Sequence, residues 1–261
     1  MKKLLLATLV ALASAPAWAQ IVTEEIEYRA DGVTMKGYMA WDDQIEGKRP
    51  GVLVVHEWWG HNDYARTRVR QLAELGYTAF ALDMYGDGRQ ADHPKDAGKF
   101  AKQVAEDAES RSTRFLAAQE VLESHPTVEA GQVAALGYCF GGSVALNMAR
   151  EGADLAGVVA YHAGLSSPVT ARPGEVQARI RVFTGAADPM VPPEQVAAFE
   201  EEMQAAGVDY EVVSYEGVLH SFTNPEADRF ARKFDMPVGY DAEADQDSWQ
   251  QTQVFLQEIF R

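Results

Sequence analysis

The residues with the clearest chemical potential surround Cys139, the one cysteine of the 261-residue chain. It lies in residues 137–142, GYCFGG, which fit the pattern G-x-S-x-G with cysteine in the serine position. In that pattern a strand turns sharply into a helix, the nucleophile occupies the strained turn, and glycines two residues away avoid clashes. The partial positive charge of a helix N-terminus favours a thiolate there. The pattern predicts a nucleophilic cysteine, and the alternative is a buried structural cysteine in a tight strand–helix turn.

An acid and a histidine follow Cys139 in the order that a nucleophile elbow requires. Asp188 comes after a predicted strand at residues 180–184, and His220 comes after one at residues 210–215. Open α/β sheets place their sites at the carboxyl ends of strands, so these side chains are expected to meet there. Taken alone, Asp188 could be an ordinary turn residue and His220 an ordinary loop residue, with no part in catalysis. Together, the three predict a catalytic triad of nucleophile, orienting acid and base.

Glu57 directly follows an apolar strand predicted at residues 51–56. In folds built around a nucleophile elbow, the loop at this point supplies the second oxyanion donor. An acid at this point would face the nucleophile, and the alternative is a solvated loop carboxylate. The nearby His56 and His61 are five residues apart and Gly60 interrupts the segment, so they do not match the i, i+4 spacing of a helical zinc site. We expect no metal and no cofactor.

Apolar strands alternate with helices along the chain. Asp31-Gly32, between residues 22–28 and 33–41, predicts an N-terminal antiparallel hairpin. Further strands are predicted at 51–56, 78–82, 133–138, 156–161, 180–184 and 210–215. Helices are predicted at 63–75, 100–124, from after Gly142 to about Arg150, 193–206 and 246–260. Residues 85–99 are predicted as a loop. The alternation predicts one α/β domain over residues 20–261, with a mostly parallel central sheet and helices on both faces.

Composition narrows the classes of function. The chain carries 39 acidic residues against 23 Lys plus Arg, a formal charge of -16 that would repel nucleic-acid phosphates and anionic lipid. One cysteine cannot form an internal disulfide or a cysteine-rich metal cluster. We therefore expect a small-molecule substrate, with no nucleic-acid and no membrane partner. The sequence leaves the oligomeric state open.

The first nineteen residues are typical of a secretory signal peptide. Lys2 and Lys3 precede an apolar run at residues 4–12, and residues 17–19, AWA, fit the small-residue cleavage pattern before Gln20. The run is too short to span a bilayer as a helix. Cleavage would remove two lysines and no acid, so the formal charge would become -18. A periplasmic or secreted location follows as an expectation.

The motifs together resemble the dienelactone hydrolase family of the α/β-hydrolase superfamily. They cover most of the chain from about residue 51 onward: HEWWG at 56–60, LGY at 75–77, DMYG at 83–86, GYCFGG at 137–142, DP at 188–189 and HSF at 220–222. The resemblance implies an α/β-hydrolase fold. It also implies Cys139 as nucleophile, His220 as base and then acid, and Asp188 as the group that orients His220.

The resemblance implies roles for three further residues. The backbone amides of Trp58 and Phe140 would form the oxyanion hole, and Glu57 would contact the resting thiol and help to deprotonate it when substrate binds. Two anion-binding arginines of the family's prototype have no direct match here. Asn224 stands four residues after His220, and Arg89 lies two residues late after DMYG. These departures argue against an anionic lactone substrate.

The leading hypothesis is a secreted, cysteine-dependent carboxylic ester or lactone hydrolase that works through a thioester. The alternatives are a non-hydrolytic thiol or binding paralogue on the same scaffold, and an esterase for acylated sugars. A redox sensor usually needs a resolving cysteine, which this chain lacks. Residues 229–241 form a segment longer than the corresponding one in the family's prototype. It is either a lid over the site or a plain surface loop.

Overall fold

The structure, a computed structural model, describes residues 20–261. An antiparallel hairpin lies at the start of these residues. Strand β1 (Ile21–Ala30) pairs with β2 (Val33–Asp42) along its full length, as the Asp31-Gly32 turn predicts. Both turn residues have positive φ angles, 52° and 68°, which suits a tight hairpin turn. The predicted signal peptide at residues 1–19 lies outside the described residues.

Six further strands extend the hairpin into one eight-stranded sheet. They are β3 (Arg49–Val55), β4 (Thr78–Leu82), β5 (Val128–Tyr138), β6 (Gly157–Tyr161), β7 (Arg179–Gly185) and β8 (Tyr210–Tyr215). The strand order is β1-β2-β4-β3-β5-β6-β7-β8. Strand β2 joins β4 in antiparallel fashion, and every pairing from β4 to β8 is parallel. The prediction of a mostly parallel sheet with an antiparallel N-terminal pair is confirmed.

Alternate side chains of the sheet feed two hydrophobic cores, one on each face. Val52 and Val54 of β3 pack with helices α1 (Asp63–Glu74) and α7 (Ala242–Ile259). Leu53 and Val55 point the other way, towards a core that contains Val104 and side chains of three more helices. These are α3 (Ala108–Glu123), α4 (Phe140–Arg150) and α5 (Pro193–Ala206). The prediction of helices on both faces is confirmed.

The structure corrects several predicted boundaries. The loop predicted over residues 85–99 ends early, because helix α2 (Pro94–Glu106) begins with proline in its first turn and with His93 as its N-cap. Asp107 then caps α3, so the predicted helix 100–124 is two helices. Helix α7 begins at Ala242 rather than at 246, since Asp241 caps it through two backbone amides.

A short helix, α6 (Ala227–Phe234), covers the first six residues of the segment 229–241, for which the sequence allows either a lid or a loop. Its aromatic side chains pack into a small cluster around Trp59, separate from the two main cores. Within residues 20–261, no helix combines the length and the apolarity needed to cross a bilayer.

Candidate active site

Cys139 sits between β5 and α4 in a strained backbone conformation. Its φ and ψ angles are 52° and -116°, outside the regions that a non-glycine residue ordinarily occupies. Such a residue costs of the order of 1–3 kcal/mol and persists only where its surroundings fix it. Here the Cys139 N–H donates to the Tyr161 carbonyl at 2.9 Å, and the Cys139 carbonyl accepts from the Gly142 N–H at 3.1 Å. The turn therefore has the geometry of a nucleophile elbow.

The glycines around Cys139 are required by backbone approaches. A Cβ atom at Gly137 would lie 2.2 Å from the Gly141 carbonyl oxygen, and one at Gly141 would lie 2.3 Å from the Val55 carbonyl oxygen. Both contacts are with backbone, which cannot move aside as a flexible side chain can. The elbow therefore packs directly against the end of β3, which brings Cys139 towards the loop that carries Glu57 and Trp58.

Asp188 and His220 meet at the carboxyl ends of β7 and β8. His220 Nδ1 lies 2.6 Å from Asp188 Oδ2, and both side chains are buried. The second carboxylate oxygen, Oδ1, accepts from the Met190 N–H at 2.8 Å, which fixes the carboxylate. The other ring nitrogen of the histidine, Nε2, has no hydrogen-bond partner among the described residues. It is therefore available for proton exchange with Cys139, which lines the same cavity.

The electrostatics couple His220 to the thiol. Burial alone would lower the pKa of His220, but the negative charge of a Cys139 thiolate and the hydrogen bond to Asp188 outweigh it and raise that pKa to about 10. The raised pKa favours the protonated, imidazolium form of His220.

Glu57 is a buried carboxylate, 1% exposed, held by two neutral donors. Ser221 Oγ donates to Oε1 at 3.2 Å, and Asn224 Nδ2 donates to Oε2 at 2.6 Å. Burial raises the pKa of Glu57, although the Asn224 hydrogen bond and the charge of His220 oppose the rise. Within residues 20–261 no hydrogen bond joins Glu57 to Cys139, so its part in activating the thiol stays a prediction.

The two predicted oxyanion donors lie at the same cavity as the thiol. Phe140 is the first residue of α4, so its N–H has no acceptor within the helix. Trp58 lies in the turn after β3, where the Tyr85 hydroxyl donates to its carbonyl at 3.0 Å. Both residues line the cavity of Cys139 and His220, as the oxyanion-hole prediction requires.

This thiol cavity has a volume of about 280 Å³ and apolar walls. Its lining consists of Trp58, Trp59, Ala101, Cys139, Phe140, Ser143, Gly164, Met190, His220, Ser221, Phe230, Met236 and Val238. None of these is Lys, Arg, Asp or Glu. Arg89 lies elsewhere: it is exposed, and its guanidinium binds the backbone carbonyls of Tyr85 and Gly86.

Sequence reasoning missed the residues that support the candidate catalytic groups. Ser221 and Asn224 hold Glu57, but a hydrogen bond over more than 160 residues leaves no local signal. His162, for which the sequence offers no partner, is fully buried after β6 with its ring centroid 5.1 Å from that of His220. Its Nε2 lies 2.8 Å from Thr223 Oγ1. Burial, together with the charge of His220, holds the pKa of His162 well below its ordinary range.

Comparison with known proteins identifies the family. The sequence profile of the dienelactone hydrolase family matches residues 35–260. The chain belongs to the dienelactone hydrolase family. It is therefore a hydrolase of the kind that acts on ester and lactone bonds, with the α/β-hydrolase fold that the sheet order already indicates.

Individual relatives agree with that assignment. A dienelactone hydrolase-like promiscuous phosphotriesterase from metagenomic libraries is 33% identical and superposes with a TM-score of 0.87, covering 94% of this chain and all of its own. A protein of Aquifex aeolicus, named as a proposed carboxymethylenebutenolidase, is 29% identical over 76% of this chain and 86% of its own. An α/β hydrolase from a deep-sea metagenome shares the fold at 17% identity, with a TM-score of 0.68 over 93% of this chain and 99% of its own.

Proposed function

We propose that this member of the dienelactone hydrolase family hydrolyses uncharged carboxylic esters or lactones through Cys139, His220 and Asp188. The observation that carries the proposal is the contact of 2.6 Å between His220 Nδ1 and Asp188 Oδ2, next to a cysteine on a strained strand–helix turn. This observation supports the assignment of Cys139 as nucleophile, His220 as base and Asp188 as the orienting acid of a hydrolytic triad.

The first half of the reaction is acylation of the thiol. The Cys139 thiolate attacks the carbonyl carbon and forms a carbon–sulfur bond, and the carbonyl oxygen takes up negative charge between the amides of Trp58 and Phe140. When the tetrahedral intermediate collapses, the bond from carbon to the alkoxide breaks. The His220 imidazolium gives its proton to the departing alkoxide, which leaves a thioester on Cys139 and a neutral His220.

Water completes the cycle. Neutral His220 removes a proton from a water molecule, which attacks the thioester carbonyl and displaces the thiolate. Asp188 keeps the imidazole oriented and stabilises its charged form.

The walls of the thiol cavity support an uncharged substrate. No Lys, Arg, Asp or Glu side chain lines it. The positions where the resemblance leads one to expect anion-binding arginines also offer no cation to the cavity, since Asn224 is bonded to Glu57 and Arg89 to backbone carbonyls. Burial of an unpaired carboxylate in such a cavity would cost several kcal/mol, so a neutral ester is favoured over an anionic lactone.

The direct test is an assay of the purified protein against a panel of p-nitrophenyl esters and neutral lactones, with Cys139→Ala as the matched control. We expect hydrolysis by the wild type and a loss of about 1,000-fold or more in the variant. No hydrolysis across the panel would favour the non-hydrolytic binding paralogue. Equal rates in both proteins would refute the triad.

A second candidate activity is hydrolysis of neutral phosphotriesters. The phosphotriesterase relative, at 33% identity, and a thiol cavity lined by no Lys, Arg, Asp or Glu both support it. In this reaction Cys139 would attack phosphorus, and the departing aryl oxide would leave a phosphorylated thiol for water to release. Paraoxon in the same panel tests this candidate, and turnover that persists in Cys139→Ala would count against it.

Secretion is a further part of the proposal, supported by the signal-peptide pattern of residues 1–19. Expression of the full chain in a bacterium, followed by N-terminal sequencing of the periplasmic fraction, tests it. We expect a mature chain that begins at Gln20. An uncleaved chain confined to the cytoplasm would contradict the prediction.

A further inference from the structure

A second cavity lies beside the thiol cavity. This polar cleft has a volume of about 670 Å³, and its lining includes Gln90, Asp92, Glu226, Arg229 and Lys233. It therefore differs from the thiol cavity in both size and chemistry. The lining residues of the two cavities have two members in common, Trp59 and Phe230.

These two shared residues form a stacked aromatic pair. The ring centroids of Trp59 and Phe230 are 4.4 Å apart, and the ring planes differ by 24°. Trp59 is anchored on the loop after β3 and is almost completely buried, whereas Phe230 is contributed by α6 and is partly exposed. Both residues line both cavities, so the pair lies where the apolar thiol cavity and the polar cleft adjoin.

The position of Phe230 depends on few contacts. Helix α6 has eight residues, and it attaches through a cluster that contains Trp58, Trp59, Phe230, Phe234 and Met236. Phe234 also stacks on Trp59, at 6.2 Å, but it lines neither cavity. The helix therefore carries two similar aromatic contacts, of which Phe230 alone lines the cavities.

We propose that Phe230 determines substrate size: its ring closes the thiol cavity against the polar cleft and confines the ester to the smaller space. The proposal rests on the proposed ester hydrolysis. A substrate with a short apolar group fits within about 280 Å³. A longer group that extends towards the cleft would have to pass the stacked pair, and a hydroxyl at its far end would then reach the amide and charged side chains of the cleft.

The test uses three p-nitrophenyl esters with one leaving group: acetate, octanoate and 8-hydroxyoctanoate. The measured quantity is kcat/KM for each long ester divided by that for acetate. In Phe230→Ala we expect both ratios to rise about tenfold or more, with the larger rise for 8-hydroxyoctanoate, and with KM carrying most of the change. Phe230→Leu should give a smaller rise, because it leaves part of the wall.

Phe234→Ala is the matched control, since it removes the other ring that α6 stacks on Trp59. We expect its ratios to equal those of the wild type. Unchanged ratios in Phe230→Ala, or equal rises in both variants, would overturn the proposal, because equal rises would mean a loosened helix. Thermal melts of each variant verify that it is folded.

Acetate hydrolysis separates this inference from the proposed function. If wild type and variants cleave acetate through Cys139 but show identical ratios, the size filter is wrong and ester hydrolysis stands. If the wild type cleaves none of the three esters, both the proposed function and the size filter fail.

Discussion

Asn224 Nδ2 donates a hydrogen bond of 2.6 Å to Glu57 Oε2. With Ser221 on the other oxygen, a fully buried carboxylate is held by two neutral groups, at a position where the resemblance leads one to expect an arginine. A neutral donor stabilises a carboxylate less than a guanidinium does. Since burial also raises the pKa of Glu57, the arrangement leaves this carboxylate able to take up a proton.

Replacement of Glu57 by Gln tests whether this proton matters for catalysis. We expect kcat/KM for p-nitrophenyl acetate to fall about 100-fold, since an acid–base group at the thiol is lost. Glu216→Gln, the same change at an exposed carboxylate, is the control and should keep wild-type activity. Near-normal turnover by Glu57→Gln would show that Glu57 has no part in activating Cys139.

The same variant makes a prediction about stability and pH. Because burial raises the pKa of Glu57, the folded protein binds this proton more tightly than the unfolded chain does. The wild type therefore loses stability as the pH rises from the ordinary glutamate range through the raised pKa, and Glu57→Gln does not share that loss. Urea unfolding at about pH 5 and about pH 8 should show the variant gaining relative to wild type at the higher pH. A constant difference between the two proteins would contradict the pKa assignment.

The titration of His220 reports on its pairing with the thiol. The charge of Cys139 is a main cause of the raised pKa of His220, about 10, so Cys139→Ala should lower that pKa substantially. NMR titration of the imidazole signals measures it, with the remaining histidines as internal references. An unchanged His220 titration in the variant would mean that the two side chains do not interact.

Gly137 tests the backbone packing of the elbow. In Gly137→Ala the new methyl would lie 2.2 Å from the Gly141 carbonyl oxygen. We expect the free energy of unfolding to fall by about 1–3 kcal/mol, together with a loss of hydrolysis as Cys139 is displaced. Gly98→Ala is the matched control, because its methyl would meet its nearest neighbour, a Trp58 ring carbon, at an ordinary 3.9 Å. Equal stability of the two variants would contradict the packing argument.

The strands and the three candidate triad residues were predictable because each leaves a local signal. Strands such as β4 and β6 are continuous apolar runs, and Cys139 lies within a fixed glycine pattern. The start of α2 is not predicted, because its polar and glycine-containing sequence resembles a loop. Pro94 directly after His93 is the one local signal that a helix begins there. The sequence does not predict helix α6, because eight residues give little periodicity. Its two phenylalanines are positioned by their contacts with Trp59.

The partners of the candidate catalytic groups were not predictable in the same way. The bonds from Ser221 and Asn224 to Glu57 join residues that are distant in sequence, and they exist only once β3 and β8 lie in one sheet. The same holds for His162, whose ring packs against His220 from a separate strand end. Sequence patterns therefore indicate the candidate reacting groups, while their protonation and orientation depend on tertiary contacts.

The central claim is that Cys139 carries the acyl group during hydrolysis. The most direct measurement is rapid acid quenching of the wild type during turnover of p-nitrophenyl acetate, followed by mass spectrometry of the digested protein. The account predicts one acetyl group on the peptide that contains Cys139, formed with a burst of p-nitrophenol, and neither signal in Cys139→Ala. Acetyl transfer to another residue, or turnover in the wild type with Cys139 unmodified throughout the burst, would contradict it.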